Sequence, residues 1–371
     1  MTTTDANHMP VEQRASQLRR RMVDALLASG DLVSPEWQAA FTVVPRHVFV
    51  PEFWQQGPGG QQHVGAHTAD AWLTGVYDDR VLMIRPDGGS SSTVPSLMAV
   101  MLEALDVTDG QRVLEIGTGS GYNAALLCHR LGGQNVTTVD INPELVTDVR
   151  VRLSEAGYRP TVAVGDGAAG WADGAPYDRL IATCAVDTIP PAWLEQVRSG
   201  GRIIVPIATG IAALTVTRPG GADGPFLAIS AYFMPLRGAD EPAAVDTILA
   251  VAADPTLPAR ATTLGADVWF DNAFRFLLAA TLPGLRLLTS DPAQQTAIVT
   301  HPDGSWARLA DGKVTQGGPR DIWAIVERTR RQWDRLGHPN RERFTLTATG
   351  NHQHIRLANT ALAWRLPTTA P

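Results

Sequence analysis

The chain has 371 residues, 44% hydrophobic and 18% charged, the balance of an ordinary globule. Its net charge of −6 gives no electrostatic steering toward nucleic acid, so none is expected as a partner. Two cysteines, Cys128 and Cys184, are too few for a cysteine metal cluster, and no apolar run reaches the length of a membrane helix. The first ten residues are polar with no signal-peptide pattern, so the expected location is the cytoplasm, away from membranes. A chain this long exceeds one compact core, which predicts two domains or one domain with a large extension.

Residues 1–10 read as a disordered tail. Val11 to Ser29 has helical spacing, with Leu18, Met22, Ala25 and Leu26 on one face and Arg14, Arg19, Arg20 and Arg21 in solvent. A second helix is predicted around Pro35 to Phe41. Residues 55–70, rich in Gln, Gly and His, read as a loop. His63 and His67 are four apart, but no third ligand accompanies them, and no metal site is expected. Val76 to Ile84 suggests a short strand. Gly88 to Ser96 is a polar loop dense in hydroxyls, and a helix from Leu97 to Leu105 follows.

The pattern then sharpens. Val113-Leu114-Glu115-Ile116 is an apolar run carrying one acid, and Gly117, Gly119 and Gly121 follow at every second position. This spacing predicts a buried strand, a tight turn and a helix start. Glycine suits a backbone that needs positive φ or close approach to a ligand. Dinucleotide-binding folds use a similar turn, so the glycines alone do not name a ligand. Glu115 would repel a pyrophosphate but suits a cationic amino-acid head group. Asp140 ends the next strand, where a carboxylate can accept from ribose hydroxyls. Together they point to S-adenosylmethionine rather than a nicotinamide dinucleotide.

From Val113 to Leu236, strands are predicted at 112–116, 135–139, 161–164, 178–183, 201–206, 212–217 and 226–232. Helices are predicted at 121–131, 143–156 and 190–198. This alternation implies an α/β fold with a mostly parallel sheet covered on both faces and an antiparallel pair at one edge. Cys128 and Cys184 read as buried, reduced thiols. Beyond residue 238 the texture changes. Residues 239–371 hold five of the ten tryptophans, short β-like runs and one amphipathic helix, Ile322 to Leu336. They read as a separate α+β region.

Several ordered segments resemble the protein-L-isoaspartate O-methyltransferase family. Pro45-Arg46-His47-Val48-Phe49-Val50-Pro51 is similar to its Arg-His-x-Phe-Val-Pro segment. Glu115 to Tyr122 is nearly its cofactor loop. Gly165-Asp166-Gly167, Ala175 to Asp178, Ile189-Pro190 and Gly200 to Pro206 fit as well. The resemblance spans about residues 11–237 and implies a class I S-adenosylmethionine-dependent methyltransferase, a Rossmann-like doubly wound sheet. N-terminal helices would precede it. The implied layout is a methyltransferase domain over 11–238 and a C-terminal α+β extension over 239–371, read as the part that recognises substrate.

The family carries Gln-Thr-Ile-Ser-x-Pro at its active loop. Here Ser90-Ser91-Ser92-Thr93-Val94-Pro95 takes that place, so Thr93 aligns with the family's serine. Ser92 and Thr93 are expected to orient the substrate carboxylate. Glu115, Gly117, Thr118, Gly119 and Gly121 are expected around the methionine part of the cofactor, Asp140 and Ile141 at the ribose, Asp166 and Gly167 at the adenine, with Thr183 beside them. His47 reads as structural. A carboxylate is already ionised at neutral pH, which explains why no pair for general base catalysis stands out.

The altered loop and the extension resemble a branch that modifies ribosomally made peptides (RiPP) of the lanthipeptide and graspetide kinds. This implies methylation of an aspartate in a cyclised precursor peptide, with the ester collapsing to a succinimide (aspartimide). Isoaspartyl repair in proteins is the alternative expectation. A non-catalytic peptide-binding module and an oxidoreductase are weaker fits to the glycine loop, Asp140 and Thr93.

Overall fold

The computed structural model describes residues 10–57, 59–237, 252, 254, 256–291, 293–350 and 352–367. The expected disordered tail therefore lies outside the described residues except for Pro10. The chain forms two compact units. One holds the residues up to Cys184 together with Glu195–Ile204, and the other holds Ala185–Leu194 and the residues from Val205 onward. Among the described residues no helix is long and apolar enough to cross a membrane.

In the first unit, α1 (Val11–Ser29) buries Leu18, Met22 and Leu26, the face that its spacing predicts. Gly30, at φ 78°, ends it in the left-handed region that glycine occupies without strain. Two short helices follow, α2 (Pro35–Val43) and α3 (Arg46–Phe49). The stretch expected to be a loop over 55–70 instead forms a hairpin, β1 (Glu52–Gly57) and β2 (Gly60–Gly65). Its composition reads as loop because few of its residues are apolar. Pairing and cross-strand stacking hold it: Trp54 lies opposite His63, ring centroids 4.9 Å apart. The predicted strand over 76–84 divides into the end of α4 (Ala69–Tyr77) and a two-residue strand, β3 (Leu82–Met83). β3 pairs with β4 (Ser91–Ser92), so the hydroxyl-rich run is held by backbone bonds.

After α5 (Pro95–Leu105) come β5 (Val113–Ile116), α6 (Tyr122–Leu131), β6 (Val136–Asp140), α7 (Pro143–Glu155), β7 (Thr161–Val164) and β8 (Tyr177–Ala182). α7 starts where Asn142 accepts from the Glu144 and Leu145 amides, with Pro143 at the first helical position. The strands pair in parallel, β8 beside β5, β5 beside β6 and β6 beside β7. Every residue of β5 is buried. Each large apolar side chain there contributes roughly 1.5–3 kcal/mol on burial. The chain runs outward from β5 through β6 and β7, then returns to β8 on the other side of β5. Such a reversal opens a crevice at the carboxyl ends of the strands, where open α/β sheets bind ligands. α8 (Pro191–Gln196) and β9 (Val197–Ile207) straddle the division between the units, and β9 begins parallel to β8.

The second unit contains β10 (Gly210–Arg218), β11 (Gly221–Ser230), β12 (Ala259–Ala261), α9 (Asn272–Thr281), β13 (Arg286–Asp291), β14 (Thr296–Thr300), β15 (Trp306–Ala310), β16 (Lys313–Gly317), α10 (Ile322–Arg335), β17 (Phe344–Thr349), β18 (His352–Leu357) and β19 (Ala363–Arg365). The predicted antiparallel pair is β10 with β11. The predicted boundary at residue 238 falls outside the described residues, and the units divide earlier. β11 pairs with β17 from Gly221–Thr349 to Pro225–Thr345, which builds residues before 238 into the C-terminal sheet. Trp269, Trp306, Trp323, Trp333 and Trp364 are all buried. These tryptophans fill the core of this unit, so their contact area is spent on folding.

Candidate functional site

Gly117, Gly119 and Gly121 all have positive φ, at 91°, 52° and 84°. Space excludes a side chain at the first and last as well. A Cβ on Gly117 would lie 2.6 Å from Thr183 Oγ1, and one on Gly121 2.6 Å from Val149 Cγ1. The loop is tied down from both sides. Thr183 Oγ1 donates to the Gly117 carbonyl at 2.6 Å. The Gly119 amide donates to Asp140 Oδ2 at 3.0 Å, and Asp140 Oδ1 accepts from the Asn142 amide. Thr118 and Thr138 join their hydroxyls at 2.7 Å.

An open pocket lies at this loop. Glu115, Gly117, Thr118, Gly119 and Thr183 line it together with Ser92 and Thr93. The structure thus brings seven of the twelve expected site residues to one cavity. Gly121 opens α6 instead. Asp140, Ile141, Asp166 and Gly167 follow β6 and β7 on the same carboxyl edge of the sheet, outside the pocket wall. Asp166 accepts from the Ala168 amide at 2.9 Å, which caps a short turn.

Glu115 is fully buried at the pocket. Burial pushes its pKa up to about 7, and the Thr138 hydroxyl and Asn123 amide limit the rise. Asn123 Nδ2 donates to Glu115 Oε1 at 2.7 Å. Glu115 Oε2 and Asn123 Oδ1 are buried acceptors without a partner among the described residues. Unpaired buried acceptors are costly, and a donor group from a ligand offsets that cost. An ammonium such as the one on the methionine part of S-adenosylmethionine fits this pair.

Sequence reasoning missed Ser91, Met98, Ser120, Tyr122 and Asn123 on the pocket wall. Tyr122 and Asn123 follow the third glycine directly, and that adjacency was the signal available. It also missed the partner of the hydroxyl-rich run, the buried Arg46, which bonds Ser92 and Thr93. His47 is buried between Tyr77 and Glu12 and lies off the pocket wall, a structural placement. Cys128 is buried and Cys184 half-buried, both as free thiols, and burial raises both pKa values.

A doubly wound sheet with a three-glycine turn after β5 and an acid after β6 defines a class I S-adenosylmethionine-dependent methyltransferase. More narrowly, the chain belongs to the protein-L-isoaspartate(D-aspartate) O-methyltransferase (PCMT) family, whose model matches residues 17–218. It is an S-adenosylmethionine-dependent carboxyl O-methyltransferase. It is 36% identical over 191 residues to a protein-L-isoaspartate O-methyltransferase of Ignicoccus hospitalis, covering 51% of this chain and 81% of that one. A protein of the same name from Picosynechococcus is 36% identical over 60% of this chain and 90% of its own. One from Gloeobacter violaceus is 39% identical over 51% and 82%. A solved protein-L-isoaspartate O-methyltransferase structure superposes with a TM-score of 0.55 at 24% identity, over 92% of this chain and 100% of its own. That likeness is one of fold.

When bound, S-adenosylmethionine supplies a methyl group on a sulfonium, open to in-line attack by a carboxylate. The protein's part is placement. The glycine loop, the unpaired acceptors of Glu115 and Asn123, and Ser92 and Thr93 share one pocket. Orientation and water exclusion suffice because the nucleophile needs no deprotonation.

Proposed function

We propose that this chain methylates the free α-carboxylate of isoaspartyl residues in proteins or peptides. At such a residue the chain runs through the side-chain carboxyl and leaves the α-carboxyl free. The family match over residues 17–218 carries this reading, and the names of the relatives favour it over the cyclised-peptide expectation. Ser92 and Thr93, in the same pocket as Glu115, support it by offering hydroxyl donors to a carboxylate. Once esterified, the carboxyl carries a better leaving group, and the following backbone nitrogen can close a succinimide. Asp140 and Ile141 are assigned to the ribose, and Asp166 and Gly167 to the adenine.

The test is mass spectrometry on a short isoaspartyl peptide, its normal aspartyl twin and a cyclised peptide bearing aspartate. Methylation of the isoaspartyl peptide alone is expected. Methylation restricted to the cyclised peptide would overturn the reading in favour of peptide maturation, which the Ser90-Ser91-Ser92-Thr93 departure would then explain. We assign substrate choice to the C-terminal part, over residues 239–371. Its exposed Phe270 is the residue to alter. Phe270→Ala should raise KM for protein substrates with cofactor affinity unchanged, and an unchanged KM would remove that residue from the assignment.

A further inference from the structure

Arg46 is a buried cation with no ion pair among the described residues. Burial lowers its pKa to about 10, so it stays charged at neutral pH. A buried charge is costly unless its hydrogens are well placed; Asp79 favours the charge from outside ion-pair distance, and Nε has no partner among the described residues. Nη1 donates to the Val76 carbonyl at 2.6 Å. Nη2 donates to the Thr93 carbonyl at 2.9 Å and to Ser92 Oγ at 3.2 Å. The guanidinium lies over the Tyr122 ring, 5.8 Å from its centroid. Thus α3, the end of α4, the hydroxyl-rich run and the start of α6 meet at one side chain.

The bond to Ser92 decides what that serine can do. A hydroxyl has one hydrogen to give and lone pairs to accept with. Arg46 fills an accepting position on Ser92 Oγ, and no acceptor for the Ser92 hydrogen is found among the described residues. Ser92 is 3% exposed and lines the pocket, so it is a donor held at the wall. Accepting from a cation polarises the hydroxyl and strengthens its donation. An ionised carboxylate is the acceptor that gains most from such a donor.

We propose that Arg46 is a positioning residue of the methyl-transfer site. It acts through Ser92, whose hydroxyl it holds as a fixed donor to the substrate carboxylate. This rests on the reading that the substrate presents a carboxylate to this wall. A purely structural role would involve only the Val76, Asp78 and Thr93 carbonyls and would not depend on the Ser92 hydroxyl.

A double-mutant cycle separates the two. Ser92→Ala should raise KM for an isoaspartyl peptide about tenfold, with cofactor affinity by calorimetry within twofold of wild type. Arg46→Lys should raise KM about fivefold in the wild-type background and less than twofold in Ser92→Ala. Additive effects would overturn the proposal, as would loss of cofactor affinity in step with KM. If Arg46→Lys does not fold, Ser92→Ala alone decides, and an unchanged KM refutes the donor role. A wild-type enzyme inert toward the isoaspartyl peptide would count against the proposed function instead. Amide exchange then decides for Arg46. Arg46→Lys should speed exchange at residues 90–94 and leave 113–121 alone, and equal exchange at 90–94 would sink the positioning role.

Discussion

The two walls of the pocket are built from different material. The wall from Glu115 to Thr118 is backbone turned by glycines and pinned by Thr183 and Asp140. The other, Ser91 to Thr93, carries side-chain hydroxyls and is bonded by Arg46. Backbone placed by positive φ leaves little freedom, because most residues cannot occupy that region cheaply. Hydroxyls on a short paired strand can be exchanged for one another with the chain path kept. The first wall therefore suits an invariant ligand, the cofactor. The second suits a ligand of variable shape, such as a peptide substrate. In this chain the departure from the family pattern lies in the second wall.

The sharpest way to break this comparison is to alter the rigid wall. Gly117→Ala would place a Cβ 2.6 Å from Thr183 Oγ1 at a φ of 91°. The left-handed backbone alone costs an L-residue about 1–2 kcal/mol, and overpacking adds about 1–3 kcal/mol. Cofactor affinity should fall at least thirtyfold, as read by calorimetry. A loss below threefold would mean that the loop can shift, and the rigid-wall argument fails.

Asp140→Ala comes next. It removes the acceptor for the Gly119 and Asn142 amides as well as the assigned ribose contact. An unmet buried donor costs about 1–3 kcal/mol, so affinity for S-adenosylmethionine should drop about tenfold. Unchanged affinity would take Asp140 out of the site.

The third prediction uses pH. The Glu115 pKa sits near 7 in the free protein, above the ordinary carboxylate value. A raised carboxylate pKa means that the folded state holds a proton the unfolded state has released. Stability therefore falls as pH rises from about 4.5 to 7. A cationic ligand favours the ionised form, so cofactor affinity should rise about tenfold from pH 6 to pH 8 as Glu115 ionises. Glu115→Gln should flatten that rise. A wild-type profile that matches the variant would show that Glu115 does not meet the ammonium.

What the sequence made legible follows the same division. Glycine spacing, Glu115 and Asp140 announced the cofactor wall, because strand, turn and acid lie close together in the chain. β5 to β8, α6 and α7 lie within one residue of their predicted ends, whereas β9, expected over 201–206, starts at Val197. The hairpin over 52–65 was not legible, since cross-strand pairing rather than apolar periodicity holds it. Arg46 was not legible as a partner of Ser92 because 46 residues separate them, and only folding brings them together. In the second unit α9 and the short strands β12, β13, β16 and β19 were missed. β12 is exposed along its length and β13 has no buried residue, so neither carries an apolar pattern to read.

The smallest effect is expected at Thr93, and it tests the softer wall. Its carbonyl already accepts from Arg46, so the chain path there does not depend on the side chain. Its hydroxyl is a second donor beside Ser92 and is not backed by a cation. Thr93→Ala should therefore raise KM for an isoaspartyl peptide about threefold, less than the rise of about tenfold expected for Ser92→Ala. Cofactor affinity should not change. Thr93→Ser keeps the hydroxyl, removes one methyl and should stay near wild type in KM. Steady-state kinetics on the isoaspartyl peptide, with calorimetry on the cofactor, reads both variants. A loss in Thr93→Ala larger than in Ser92→Ala would invert the order of the two donors. The carboxylate would then be held chiefly by Thr93, the position aligned with the family's serine, and Arg46 would matter through the Thr93 carbonyl instead.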